Sequence, residues 1–235
     1  GKELIKAGKA QVFLVTSGIS NVATGQQGLD NARKEMEALG DELGIDPRLV
    51  LPNSTGVIGV QLPMDKILAA IPRCKGELGE DNWEATAEAI MTTDTHAKLV
   101  RCKIGDAVLL GMAKGAGMIE PNMATMLSFW VTDAAIPSET LQPMLKRVVD
   151  QSYNCLSIDT DTSTSDTVAI MANGLAGDVD LEVFEAAFLE AAIDLSKQIV
   201  ADGEGATKLI EVVVTGAIDV EQARAMAKSV VNSPL

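Results

Sequence analysis

The sequence predicts an α+β fold, in which helices and strands mix and at least one strand pair is antiparallel. Segments of helical and of strand-like periodicity are interspersed along 235 residues, of which 47% are hydrophobic. Residues 99–104 and 107–112 are strand-like and are separated only by Gly105-Asp106, the spacing of a β-hairpin. A purely parallel, doubly wound sheet fits that hairpin poorly. No repeat or low-complexity linker interrupts the chain, so we treat residues 1–235 as a single α+β core segment.

The first part of the chain predicts two strands and two helices. Residues 12–15 are apolar and strand-like, and Ser17-Gly18 is a turn signal after them. Apolar residues recur at helical spacing over 29–43, and Gly44 is placed to end that helix. A strand followed by a loop and a second helix are then predicted at 50–59 and 83–91.

The second part predicts further strands and three helices. Ser138 can cap a helix that runs to about Asp150. Asp219 and Gln222 have the spacing of a capping box that opens a final helix. The other predicted elements are strands at 125–132, 168–171 and 209–214 and a long helix at 181–199.

Charge and composition exclude several classes of protein. The chain has 19 basic and 33 acidic residues, a net charge of -14, which argues against nucleic acid or an anionic membrane surface as a partner. No apolar run approaches the roughly 20 residues that a membrane helix needs. Three unclustered cysteines are typical of a reducing compartment, so we expect a cytoplasmic protein. With His96 as its single histidine, the chain cannot build a multi-histidine zinc site.

Motifs for the commonest chemistries are absent. GMAKGAG at 111–117 matches neither a P-loop nor a dinucleotide-binding loop, and it fits a glycine turn between strands. DTDTSTSDT at 159–167 fails as a calcium loop, because Thr164 and Ile170 stand where glycine and glutamate are needed; hydroxyls that satisfy backbone groups explain it better. A serine or threonine whose base is its own α-amine, freed by chain cleavage, stays open. The pattern alone does not identify which one.

A resemblance to a known family implies which residue is the nucleophile. KGAGMIEPNMATML at 114–127 closely resembles the processing-site motif of the ornithine acetyltransferase family of arginine biosynthesis. Further segments resemble the same family: ATGQQGLDNAR at 23–33, STGVIG at 54–59, AEAIMTTDT at 87–95, DTDTSTSDT at 159–167, DGEGATK at 202–208 and AKSVVNSPL at 227–235. The resemblance implies an α/β/β/α sandwich of the N-terminal-nucleophile type. It also implies an acetyltransferase that moves acetyl from N-acetylornithine to glutamate by a ping-pong mechanism.

The resemblance also implies the residues of the site. Cleavage would fall between Ala124 and Thr125, giving fragments 1–124 and 125–235 with Thr125 as the nucleophile. The other implied residues are Thr55 and Gly56, which stabilise the oxyanion, and Thr92, Lys114 and Glu204, which bind substrate. These types suit the chemistry, because a hydroxyl beside a glycine amide supplies two donors to an oxyanion. A lysine pairs with a carboxylate and a glutamate with an amine.

The same resemblance implies the partners and the cofactors. We expect N-acetylornithine and glutamate as substrates, association of the two fragments, a homo-oligomer of that pair, and no metal or organic cofactor. Acetyl-CoA would be a further acetyl donor in bifunctional members. Family members extend past both ends of this chain, and residues near their C-terminus contribute to the pocket. We therefore expect a segment of a longer protein. TSGISN at 16–21 departs from the family's NSGNAN-like segment.

Two alternatives remain open from the sequence. The first is a related amidase or aminopeptidase, in which the same nucleophile passes its acyl group to water. The second is an uncleaved fragment that only folds or assembles with a partner. Detection of acetylglutamate separates the transferase from the hydrolase, and detection of two fragments separates the processed enzyme from the uncleaved chain.

Overall fold

The computed structural model describes residues 4–119, 126–161 and 165–233, and the chain divides into two compact units. The first unit comprises Gly1–Thr92 and Ile136–Leu141, and the second comprises Thr93–Ala135 and Gln142–Leu235. Strands and helices occur in both units, which confirms the mixed α and β character predicted from the sequence. The processing boundary between residues 124 and 125 lies outside the described residues.

The first unit is built on a pair of parallel strands covered by helices. Strand β1 (Val12–Ile19) pairs with β2 (Val50–Val57) in register from one end to the other. Helix α1 (Gly25–Leu43) packs against β2 and against α2 (Met64–Gly76), and α3 (Trp83–Ala89) follows. Their shared core includes the buried residues Leu39, Val50 and Ile71.

The two strands and two helices predicted for this unit are confirmed, with one correction and one addition. Gly44 ends α1 in the left-handed conformation, with φ of 69°, as predicted. The turn predicted at Ser17-Gly18 is wrong, because β1 continues to Ile19 while β2 lies beside it and pairs with it. Helix α2 was not predicted; Pro72 inside it obscures its helical pattern.

The second unit contains a four-stranded sheet in the order β3-β4-β5-β6. The first three strands are antiparallel neighbours, and β5 and β6 are parallel. Gly105, with φ of 61°, forms the predicted hairpin between β3 and β4. The strands are β3 (Lys98–Ile104), β4 (Ala107–Lys114), β5 (Leu127–Ala134) and β6 (Thr167–Gly177).

One long helix of the second unit packs on this sheet. Helix α5 (Leu181–Ala201) packs on β3 and β4 and begins at Asp180, whose carboxylate accepts hydrogen bonds from two backbone amides. The Phe188 ring meets the Trp130 ring of β5 edge-on, with centroids 4.8 Å apart. Helix α4 (Ser138–Gln151) ends one residue beyond its predicted limit.

The predicted strand at 209–214 is wrong. These residues form no ladder with any strand in the described part of the chain, although they are rich in β-branched side chains. A strand needs a neighbour for its backbone groups, and apolar periodicity cannot supply one. The final helix, α6 (Val220–Val231), begins at Asp219 as predicted, and Gln222 accepts a hydrogen bond from the Ile218 amide. No helix among the described residues is long and apolar enough to cross a membrane.

Candidate functional site

Thr55 and Gly56 lie near the end of β2 in the first unit. Thr55 is buried, and its register partner on β1 is Ser17. Gly56 pairs with Gly18 and has φ of 121°. A Cβ added to Gly56 would lie 2.3 Å from the Gly18 carbonyl carbon, so the two backbones approach more closely than any side chain allows. The segment therefore presents a hydroxyl beside a backbone that only glycine can adopt.

Thr92 lies close to the same pair of strands, because the preceding residue, Met91, is hydrogen-bonded to β1. The Ser17 hydroxyl donates a hydrogen bond of 2.6 Å to the carbonyl oxygen of Met91. Thr92 follows Met91 directly and is exposed. The first unit therefore brings together three of the predicted site residues, Thr55, Gly56 and Thr92, around the end of β1.

Lys114 is the last residue of β4 in the second unit, and its side chain is almost completely buried at 4% exposure. Burial lowers the pKa of its ammonium group, while the carboxylates of Asp94, Asp166 and Glu204 oppose that change. A lysine in this setting has little contact with water. It is a cation that can bind a carboxylate with little competition from solvent.

Glu204 lies beside the residues that follow Lys114. The Glu204 amide donates a hydrogen bond of 2.6 Å to the Ala116 carbonyl oxygen. A Cβ added to Gly117 would lie 2.6 Å from the Glu204 carboxyl carbon, so the carboxyl group packs directly on that glycine. Glu204 itself is exposed. The structure therefore brings a buried cation and an accessible anion into one neighbourhood, from positions 90 residues apart in the sequence.

A buried ion network lies next to Lys114 and Glu204. The Lys98 ammonium contacts Asp94 Oδ1 at 2.7 Å and Asp202 Oδ2 at 2.6 Å. Asp94 Oδ1 also accepts a hydrogen bond of 2.6 Å from the Gly115 amide, and Asp202 accepts one of 3.0 Å from the Thr95 amide. Burial raises the pKa of Asp202, but the hydrogen bonds from Lys98 and Thr95 outweigh it and hold that pKa below its usual range.

Asp166 is a candidate functional residue that the sequence analysis missed. Both of its carboxylate oxygens are buried, and neither accepts a well-formed hydrogen bond within the described residues. Burial raises the pKa of Asp166 to about 7, against the opposing effects of the Met126 amide and the Lys114 charge. Asp166 lies within DTDTSTSDT, whose carboxylates the sequence analysis tests only as calcium ligands. A buried carboxylate of this kind can hold or release a proton near neutral pH.

Ala124 and Thr125, the predicted cleavage pair, lie outside the described residues. Their described neighbours are buried: Ile119 before them and Met126 after them. The Met126 carbonyl oxygen accepts a hydrogen bond of 3.0 Å from Thr167 N at the start of β6. Asp159 accepts a hydrogen bond of 2.8 Å from the Ile119 amide. Asp159 and Thr167 thus bond Ile119 and Met126, the described residues on either side of the predicted cleavage pair.

The described part of this site shows no cluster of metal ligands. No group of three or more histidine, cysteine, aspartate or glutamate side chains suited to a metal ion occurs in the described ranges. Lys98 and Lys114 lie among the nearby carboxylates and supply positive charge there. The arrangement is suited to binding a small zwitterion, which carries both a carboxylate and an amine.

Comparison with known proteins gives a family. The ArgJ family model matches residues 1–235. The chain is 55% identical over 235 residues to "Arginine biosynthesis bifunctional protein ArgJ 2" of Clostridium acetobutylicum, covering 100% of this chain and 61% of that protein. It is 49% identical over 234 residues to "Glutamate N-acetyltransferase Oat2" of Streptomyces clavuligerus, covering 100% of this chain and 60% of that protein.

Solved structures include one similar to part of the chain. It is the crystal structure of ornithine acetyltransferase complexed with ornithine from Mycobacterium tuberculosis, with 33% identity, a TM-score of 0.46, and coverage of 52% of this chain and 67% of that one. The chain spans about three fifths of the length of the curated relatives named above. The match of the family model over the whole sequence shows that the chain belongs to the ArgJ family.

Proposed function

We propose that this chain is part of an acetyltransferase that moves acetyl from N-acetylornithine to glutamate. Its membership of the ArgJ family and its similarity to a protein named glutamate N-acetyltransferase support that activity. The observation that carries the proposal is the proximity of buried Lys114 to Glu204, in the segment that precedes Ala124 and Thr125 in the sequence. Both substrates are amino-acid derivatives with an α-carboxylate, and Lys114 would bind that group.

The nucleophile would be generated by the chain itself. The Thr125 hydroxyl attacks the Ala124 carbonyl carbon, the acyl group moves from nitrogen to oxygen, and water cleaves the resulting ester. This step frees the α-amine of Thr125, which has a reference pKa of about 7.7–8.0 and can accept the hydroxyl proton during transfer. The chemistry requires no metal and no organic cofactor.

Transfer would then follow two half-reactions. Thr125 takes the acetyl group from N-acetylornithine and releases ornithine, and the amine of glutamate attacks the acetyl-threonine to give acetylglutamate. Thr55 and Gly56 stabilise the oxyanion formed in each half-reaction. Thr92, Lys114 and Glu204 bind the substrates, with Glu204 directed at an amino group. In a bifunctional enzyme, acetyl-CoA would acylate the same threonine.

The two fragments would remain associated after cleavage. Strand β4 precedes residue 124 and β5 follows residue 125, and the two strands pair from Leu109 with Thr132 to Lys114 with Leu127. Cutting the chain between them leaves those hydrogen bonds intact. We further propose the α/β/β/α sandwich of N-terminal-nucleophile enzymes, a homo-oligomer of the fragment pair, and a cytoplasmic location.

Mass spectrometry and an exchange assay test this function in the full-length protein. The parent should yield two fragments that meet at Ala124 and Thr125, and it should form acetylglutamate from N-acetylornithine and glutamate. Thr125→Ala should abolish both cleavage and transfer, whereas Thr125→Ser should retain part of each. Cleavage of the alanine variant at the same bond, or release of acetate without acetylglutamate, would contradict the mechanism. Repeating the assay with acetyl-CoA tests the second donor.

A further inference from the structure

The Lys98 network joins the segment around residues 94–98 to Asp202, which is distant in the sequence. Lys98 is the first residue of β3, and its side chain has no exposure to solvent. Its ammonium contacts Asp94, four residues earlier, and Asp202, at the end of α5 and 104 residues later. The side chain of Asp94 is completely buried and that of Asp202 is 4% exposed. One buried cation therefore bridges two buried anions.

Stability is a weak explanation for such a network. Removing three charges from water costs several kcal/mol for each ion, and the attraction between them does little more than offset that cost. Apolar side chains of similar volume would often stabilise a fold as well or better. What short, charged contacts do determine is the position of the backbone that carries them.

Each anion of the network lies close in the chain, or is hydrogen-bonded, to the neighbour of a residue that binds substrate in the proposed function. Asp94 accepts the hydrogen bond of the Gly115 amide, which is the peptide bond that follows Lys114. Asp202 precedes Glu204 by two residues, and the Glu204 amide is bonded to Ala116. Lys98 thus connects Asp94, which holds the backbone next to Lys114, with Asp202, which lies two residues before Glu204.

We propose that Lys98 is a positioning residue, which sets the spacing between Lys114 and Glu204 by bridging Asp94 and Asp202. The inference rests on the proposed function, since it takes Lys114 and Glu204 to bind the two ends of an amino-acid substrate. Loss of the bridge lets the two segments move apart. Substrates that need both contacts then bind less well, while the chemistry at Thr125 continues.

The test uses the full-length, processed protein and a variant designed to fold. Lys98→Met alone leaves two buried carboxylates without a cation, and it is expected to fold poorly. The triple variant Asp94→Asn, Lys98→Met and Asp202→Asn removes all three charges and keeps oxygen acceptors for the Gly115 and Thr95 amides. In this variant we expect KM for both N-acetylornithine and glutamate to rise about tenfold, with kcat changed by less than about threefold. Asp202→Asn alone, which leaves a neutral pair, should give a smaller rise in KM.

Two comparisons separate positioning from a general structural effect. Arg147→Met breaks the surface ion pair of Arg147 with Glu185, whose atoms are 2.6 Å apart, and should leave KM unchanged. In a Lys114→Met background, the triple variant should raise KM by less than about twofold, because residues that act through one another are not additive. An unchanged KM in the folded triple variant, or a full tenfold effect in the Lys114→Met background, would overturn the proposal.

The proposed function and the positioning role fail in different ways. If the parent forms no acetylglutamate, the proposed function itself is wrong, and no KM for these substrates exists to compare. If the parent is active and the triple variant folds, is cleaved and retains the parental KM, only the role of Lys98 is wrong. Circular dichroism and mass spectrometry of each variant establish folding and cleavage before the kinetics are measured.

Discussion

Glu35 makes the stability of the first unit depend on pH. This glutamate lies on the inner face of α1, its side chain is only 3% exposed, and Oε1 has no hydrogen-bond partner in the described part of the chain. Burial raises the pKa of Glu35 from 4.5 to about 7. We predict that Glu35→Gln stabilises the protein at pH 8 and leaves its stability unchanged at pH 4.

The direction follows from the protons bound in each state. Below pH 4.5 the side chain is protonated in both the folded and the unfolded chain, so it does not affect the balance between them. As the pH rises through 4.5 the unfolded chain loses this proton, while the folded chain keeps it until about pH 7. The free energy of unfolding therefore falls across this window and stays low above it. Glutamine has no proton to lose and removes that fall.

The size of the effect follows from the same pKa. One pKa unit corresponds to about 1.4 kcal/mol, so the rise from 4.5 to about 7 sets an upper limit of about 3.5 kcal/mol. Water that reaches the carboxyl group reduces the penalty, and we expect a gain of about 1–2 kcal/mol for Glu35→Gln at pH 8. Urea unfolding at pH 4, 6 and 8 measures it as a shift of the midpoint at constant m-value.

A matched control lies two residues away on the same helix. Glu37 is exposed, and Glu37→Gln should change the free energy of unfolding by less than about 0.5 kcal/mol at every pH. Taking the difference between variant and parent at each pH removes the contribution of other groups, including Asp166. If Glu35→Gln is no more stabilising at pH 8 than at pH 4, the carboxyl group is not buried as described and the reasoning fails.

Predictions for four substitutions concern the candidate site. Thr55→Ala should fold and be cleaved but should slow transfer by roughly 10²–10³-fold, measured as kcat; a parental rate in the folded variant would remove Thr55 from the oxyanion site. Gly56→Ala should instead destabilise the protein by about 1–3 kcal/mol or more in urea unfolding, because its Cβ meets the Gly18 backbone at 2.3 Å; normal stability would show that the strands separate easily. Lys114→Met should cost about 1.5–3 kcal/mol in kcat/KM for both substrates, while Glu204→Gln should affect the amino-bearing substrate more. Unchanged values for Lys114→Met would make this lysine a turn residue only.

Local signals predicted much of the fold. The β3–β4 hairpin needed only Gly105-Asp106 between two apolar segments, and α1 ends at Gly44 because glycine adopts the left-handed conformation there without strain. Helix α6 is capped by Asp219 for an equally local reason, since the Asp219 carboxylate accepts a hydrogen bond from the backbone N–H of Gln222. In each case the atoms that decide the structure lie within a few residues of one another. Motif resemblance likewise predicts Lys114 and Glu204 as substrate-binding residues from the sequence alone.

Only the tertiary structure decided what depends on a distant partner. β1 continues through Ser17 and Gly18 because β2 lies beside it, and residues 209–214 form no strand because no described neighbour pairs with them. The charged network of Lys98 joins residues 104 apart, and Asp166 is significant because both of its oxygens are buried. Local propensity reports what a segment can form by itself. Strand pairing, desolvation and buried ion pairs depend on residues far away in the sequence, so they become visible only when the chain is folded.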